Sequence, residues 1–183
     1  MNVLITGNPG IGKTTIVRRV LAVLRNTQCA IRTGGFLTEE TRKHRRRVGF
    51  QIVTLDTHEV TALAQLNLDT PYRIGKYGVS LAAMTAVAIP ALRRASDGAD
   101  LIVVDEIGRM ECFAPDFLVA INECLNSPKP LLGVVSRHRL PFLDAIRDRD
   151  DVELIEVNEH SRDCLVGEVV ERVRAATTPP LRS

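Results

Sequence analysis

The sequence predicts an α/β fold, a mainly parallel sheet flanked by helices in three layers with a β-hairpin insertion. Short apolar runs alternate with segments of helical period, a glycine-rich turn joins the first run to the first helical segment, and one pair of strand-like runs breaks the alternation. The chain has 183 residues, enough for one domain whose core needs neither disulfide nor structural metal. Apolar residues make up 45% and charged residues 25%, which excludes a disordered chain. A net charge of +2 gives no whole-chain attraction for a nucleic acid or a membrane surface, so any basic contact has to be local.

Taken in order, Val3–Thr6 is the first strand, an apolar run ending at a glycine. Ile16, Val17, Val20, Leu21 and Leu24 then repeat at helical spacing and predict a helix over Lys13–Arg25. Gly35–Glu40 and Val48–Asp56 read as the strands of the hairpin, with the polar segment Thr41–Arg47 as its turn. A helix over Leu81–Arg94 leads to the second parallel strand, Leu101–Val104. Helices over Pro115–Leu125 and Pro141–Arg147 frame the third strand, Leu131–Val135, and each opens on a proline, whose missing N–H costs little in a first turn. Val152–Val157 is the fourth parallel strand and a helix over Cys164–Ala175 follows it. The expected organisation is one domain over residues 1–176, with the insertion at about 35–56 and a frayed tail over 177–183 that contains Pro179 and Pro180.

Cys29, Cys112, Cys124 and Cys164 form no CxxC pair and have no histidine at zinc-ligand spacing, so they read as reduced, mostly buried thiols. The apolar start Val3-Leu4-Ile5 is too short for a signal peptide, and no run approaches a membrane span. A cytoplasmic monomer without a membrane partner is the expectation.

Gly7-Asn8-Pro9-Gly10-Ile11-Gly12-Lys13-Thr14 is a glycine, four residues, then Gly-Lys-Thr, set between a strand and a helix. Glycines let consecutive amides turn inward on phosphate oxygens, and the helix N-terminus adds its positive end. Lys13 is placed to bridge the β- and γ-phosphates and Thr14 to coordinate the accompanying Mg²⁺, with Thr15 completing the nucleotide-contacting run. A loop that only capped a helix would have no use for the Lys-Thr pair. The glycine spacing also departs from the G-x-G-x-x-G of a dinucleotide site.

Leu101-Ile102-Val103-Val104-Asp105-Glu106 has the form of a buried parallel strand whose C-terminal end delivers two carboxylates to the ligand rim. Asp105 suits the metal shell, and Glu106 suits orienting and partly deprotonating a water for attack on the γ-phosphorus. Many strands end in polar turns, and it is the pairing with the Gly7 loop that gives the two carboxylates this meaning.

At this point the chain resembles the cancer-related nucleoside-triphosphatase family of small P-loop NTPases. The resemblance rests on the GNPGIGKTT loop, the hairpin runs GGFLTEETR and RVGFQIVTLD, the RIGKYGV segment at Arg73–Val79 and the VVDEIGRME stretch at Val103–Glu111. It implies a compact α/β fold and Mg²⁺-dependent release of phosphate with loose base preference. It also implies Gly7–Thr14 as the nucleotide loop and the Asp105 region as the second nucleotide-contacting segment.

Arg137 follows Ser136 at the end of Leu131–Val135, on the rim that Asp105 reaches if both strands run the same way. It is a candidate for stabilising charge on the transferring phosphoryl group, with Arg139 and the Arg42–Arg47 cluster next. That cluster puts five fixed positive charges in six residues, and reads either as a solvated turn protecting an exposed edge or as a polyanion contact. No aromatic interleaves with it, so a nucleic-acid partner is not favoured. Lys76 and Tyr77, between two glycines, read as a turn, and His58, His138 and His160 as surface residues. The alternatives to a nucleoside-triphosphate phosphohydrolase are a nucleotide or nucleoside kinase and a nucleic-acid-stimulated ATPase.

Overall fold

A computed structural model describes residues 1–26, 31–159 and 164–177. In chain order the elements are β1 (Asn2–Gly7), α1 (Lys13–Arg25), β2 (Thr33–Lys43), β3 (Arg46–Thr54), β4 (Val60–Leu66), β5 (Arg73–Ile74) and β6 (Tyr77–Val79). They continue as α2 (Leu81–Ala83), a π-helical segment (Met84–Ala88), α3 (Ile89–Gly98), β7 (Leu101–Ile107), a 3₁₀ turn (Glu111–Phe113), α4 (Pro115–Leu125), β8 (Leu131–Val135), α5 (Pro141–Arg147), β9 (Val152–Val157) and α6 (Leu165–Thr177).

The strands form one sheet, ordered β5-β6-β4-β3-β2-β7-β8-β1-β9. From β2 to β9 neighbours pair in parallel, and from β2 to β5 antiparallel. Alternation along β1 sends Val3 and Ile5 to a core with α1 and α6, and Leu4 to a core with α3, α4 and α5. Every residue of β1 and β8 is buried, because helices cover both faces of the parallel half. The α/β architecture with a sheet between helical layers is therefore as expected. None of the described helices is long and apolar enough to cross a membrane.

The antiparallel half departs from the expectation in two ways. The hairpin turn is only His44 and Arg45, with φ of 47° and 63°, so β2 and β3 run on through Lys43 and Arg46. Two positive φ values are what a two-residue hairpin turn demands, and Asn-Gly, its usual signal, is missing here. The antiparallel region also extends beyond Asp56 through β4, β5 and β6, which makes the insertion larger than residues 35–56. Tyr77 is a buried strand residue rather than part of a turn, while Lys76 does stand in the β5–β6 turn.

The helix expected over Leu81–Arg94 runs on to Gly98 and widens at the π-helical segment, where the Ile89 N–H reaches Met84 O, five residues back. Pro90 follows and has no N–H to give, which opens the ladder at this turn. Cys124 is buried, Cys112 half-buried and Cys164 exposed, so burial is less general than expected for the thiols. Cys29, His160 and the tail beyond Thr177 lie outside the described residues.

Candidate active site

A cavity of about 690 Å³ opens at the C-terminal ends of the parallel strands, between the loop after β1 and the β2–β3 hairpin. One end is lined by Pro9, Gly10, Gly12, Lys13, Thr14 and Thr15. Gly12 caps α1 with φ 106° and Gly10 has φ 78°, left-handed values that leave the loop amides free to turn inward. The first turn of α1 holds no acidic residue, so no side chain of that turn offsets the positive end of the helix. Lys13 is 8% exposed, and its Nζ donates to Gly7 O at 3.1 Å and Asn8 O at 3.2 Å, which holds the ammonium over the loop.

Across from Lys13, β7 brings up Asp105 and Glu106. Asp105 is 1% exposed and neither of its carboxylate oxygens has a hydrogen-bond partner of good geometry. Burial pushes its pKa up to about 7, helped by the charge of Glu106, while the adjacent Thr14 hydroxyl and the cations Lys13 and Arg18 oppose the rise. Two orphaned buried oxygens beside a hydroxyl are the donor set expected around a hard cation, since leaving them unmatched is costly. Thr14 and Asp105 therefore fit Mg²⁺.

Glu106 is also raised by burial, with Lys13 and His138 holding it down. Behind it lies Glu111, a residue assigned no role from sequence. Glu111 is 4% exposed and accepts the Gly108 N–H at 3.0 Å. Burial, and then the charge of Glu106, push it up to about 8. Gly108 sits between the two carboxylates: a Cβ there would stand 2.9 Å from Glu106 Oε1 and 3.1 Å from Glu111 Oε2. The carboxylate three residues after a glycine was visible in the sequence, but only the tight turn into Glu111–Phe113 folds it back.

Strand direction is as expected: β8 runs parallel to both β7 and β1, so Ser136 and its successors share the rim with Asp105. Arg137, however, turns toward the outer side of the loop, donating to Asn8 Oδ1 at 3.2 Å and pairing with Glu156 at 3.1 Å. Ser136 and His138 line the cavity instead, with His138 Nδ1 2.8 Å from Ser136 Oγ. His138 is thus a rim residue of the site rather than an isolated surface histidine. Arg139 pairs with Asp144 at 3.1 Å, away from the cavity.

Two arginines that sequence reading passed over do line the cavity, Arg18 on α1 and Arg109 after Gly108. Arg18 is paired with Glu39. In the basic hairpin, Arg42 and Arg47 face the cavity and are both paired with Glu40, at 2.6 and 2.7 Å.

Known proteins match this chain over nearly its whole length. The family model for NTPase matches residues 2–170. A nucleoside-triphosphatase THEP1 of Thermotoga maritima is 39% identical over 93% of this chain and 94% of its own length. One from Methanocaldococcus jannaschii is 35% identical over 96% and 98%. The crystal structure of THEP1 from Aquifex aeolicus superposes with a TM-score of 0.84 at 29% identity, covering 94% of this chain and 99% of that one. The solution structure of a human cancer-related nucleoside triphosphatase gives 0.81 at 34% identity, covering 95% and 97%. A match over nearly the whole chain, on a fold that sets a phosphate loop opposite a buried acidic pair, places this chain in the NTPase family.

Proposed function

We propose that the protein hydrolyses nucleoside 5'-triphosphates to the diphosphate and phosphate, with Mg²⁺ as its cofactor and little choice of base. The observation that carries the reading is the pair of orphaned Asp105 oxygens facing Thr14, with Lys13 held over the phosphate loop. The relatives' own designation, nucleoside-triphosphatase, supports the same chemistry.

Gly7, Asn8, Pro9, Gly10, Ile11 and Gly12 supply the loop whose amides cradle the phosphates, with Thr15 behind them. Lys13 bridges the β- and γ-phosphates and stabilises charge on the transferring group, and Thr14 and Asp105 hold the metal. When bound, Mg²⁺ neutralises phosphate charge. Glu106, whose pKa burial raises above the usual carboxylate value, orients a water and takes its proton as that oxygen attacks the γ-phosphorus. Glu111, through Gly108, fixes the backbone on which Glu106 stands.

Of the arginines lining the cavity, we assign to Arg109 the charge developing on the γ-phosphate, since Arg18, Arg42 and Arg47 are engaged with Glu39 and Glu40. Arg137 could serve only by leaving Asn8 and Glu156, so it ranks second. The loop reads phosphates, and no element of the sequence clearly reads a base edge. ATP, GTP, CTP and UTP should then be hydrolysed within about the tenfold spread that roughly 1.4 kcal/mol allows. Phosphate release from each of the four, with Mg²⁺ and with EDTA, tests this: a thousandfold preference for one base, or equal release in EDTA, would overturn the corresponding part.

A further inference from the structure

The cavity continues past the catalytic carboxylates, in a direction that a triphosphate does not take. The loop after β1 holds one end, β7 with Asp105 and Glu106 stands two places along the sheet, and β3 lies two places further the same way. Because Thr14 faces Asp105, the γ-phosphate belongs at β7 and the rest of the nucleotide trails back along the loop, away from β3. The β3 end is therefore on the side from which a nucleophile approaches in line.

That end is built as an aromatic shelf. The Phe50 and Tyr77 rings meet edge to face at 5.5 Å, and the Arg47 guanidinium lies 5.2 Å from the Phe50 centroid and 5.8 Å from that of Tyr77. Arg47 is held there by donating to the Tyr77 hydroxyl at 3.2 Å and to Glu40 at 2.7 Å. Phe50, Arg47, Ile74 and Met110 line the cavity and are only partly covered. A half-exposed ring with a guanidinium over it, its charge already met by Glu40, suits the π-face of a heterocycle. Activating a water requires none of this.

We infer that the β3 end of the cavity is a second-substrate subsite for a nucleoside 5'-monophosphate, with its base on the Phe50–Arg47 shelf and its phosphate directed at the γ-phosphorus. The inference rests on the triphosphate reading above. A monophosphate oxygen forms the new bond to the γ-phosphorus while the bond to the β–γ bridging oxygen breaks. The nucleoside diphosphate departs with the electron pair, and the acceptor becomes a second diphosphate. A dianionic phosphate has no proton to surrender, so this transfer does not need Glu106 as base, whereas attack by water does. Hydrolysis is the course taken when the subsite is empty.

The test is to supply the full chain with Mg²⁺ and γ-labelled ATP plus AMP, GMP, CMP or UMP at about 1 mM, the upper end of usual KM values. Label should appear in a nucleoside diphosphate with at least one of the four. Phe50→Ala should raise the KM for that monophosphate about tenfold or more, as expected on loss of a base-stacking ring, and Phe50→Leu, which keeps the packing volume, should do the same. Glu106→Gln should retain transfer while losing hydrolysis. Phosphate release with no labelled diphosphate from any monophosphate overturns the subsite and leaves hydrolysis standing; neither product overturns both. Transfer unaffected by both Phe50 substitutions also overturns the placement.

Discussion

Asp105→Asn separates what the site does for the fold from what it does for the reaction. With no metal present, the wild-type carboxyl rises from 3.8 to about 7 chiefly because it is buried. Between those two values the folded protein holds a proton that the unfolded chain has already lost. Stability therefore falls as pH climbs through this window and the loss is complete above about pH 7. At about 1.36 kcal/mol for each pH unit between the two values, ionised Asp105 costs the fold roughly 4 kcal/mol at most.

An amide does not titrate, but it too is buried without partners, at a cost of about 1 to 3 kcal/mol. The protonated carboxyl is buried without partners as well, so that cost cancels, and Asp105→Asn should stabilise the metal-free protein by up to about 4 kcal/mol at pH 8, or roughly 8 to 16 °C in Tm for a chain of this size. At pH 4 it gains nothing. Glu111 titrates in both proteins and largely drops out of the difference, although losing the Asp105 charge eases its own ionisation. Thermal unfolding in EDTA at pH 4 and pH 8, repeated at pH 8 with Mg²⁺ and a triphosphate, reads all of this. The ligands should raise the wild-type Tm and leave the variant's nearly unchanged. A variant less stable than wild type at pH 8 in EDTA would refute the view that Asp105 is strained for want of a cation.

Glu106→Gln keeps size and hydrogen bonding but removes the base, so turnover should fall by about 10² to 10⁴ while a fluorescent triphosphate still binds; wild-type turnover would assign the water to another group. Arg109→Ala should lower kcat by about tenfold or more with affinity little changed, because charge on the γ-phosphate grows only in the transition state. Arg137→Ala, which breaks the Asn8 and Glu156 contacts, should change kcat by less than about threefold. Steady-state kinetics with a separate binding titration decides between them, and the reverse order would return the role to Arg137.

The parallel half of the fold was readable because its punctuation is local. Glycine at the start of the first helix and proline at the first turns of α4 and α5 bound Lys13–Arg25, Pro115–Leu125 and Pro141–Arg147, and each agrees with its expected limits. The antiparallel half depends on partners far along the chain: β4 finds β3 and β6 only in three dimensions, and nothing in Val60–Leu66 alone marks it.

The site divides in the same way. Lys13, Thr14, Asp105 and Glu106 sit in contiguous motifs whose chemistry dictates their order. Glu111 and His138 enter through a tight turn and a rim loop, and Phe50 through the register of β3, none of which a linear pattern records. Arg137 shows the limit of topology: strand direction brings its backbone to the predicted rim, but its side chain meets Asn8 and Glu156, contacts that strand direction does not specify.

The most direct test of the central claim is phosphate release from Mg²⁺-ATP by wild type and Lys13→Ala, prepared and measured side by side with a triphosphate-binding titration. Lys13 is the loop's only charged side chain, and it is already held at the phosphate cradle by Gly7 and Asn8. The variant should bind triphosphate at least about a hundredfold more weakly, as expected when a buried charge pairing is lost, and should release no phosphate above background. Equal binding and equal release by the two proteins would contradict the claim and place the hydrolytic site elsewhere.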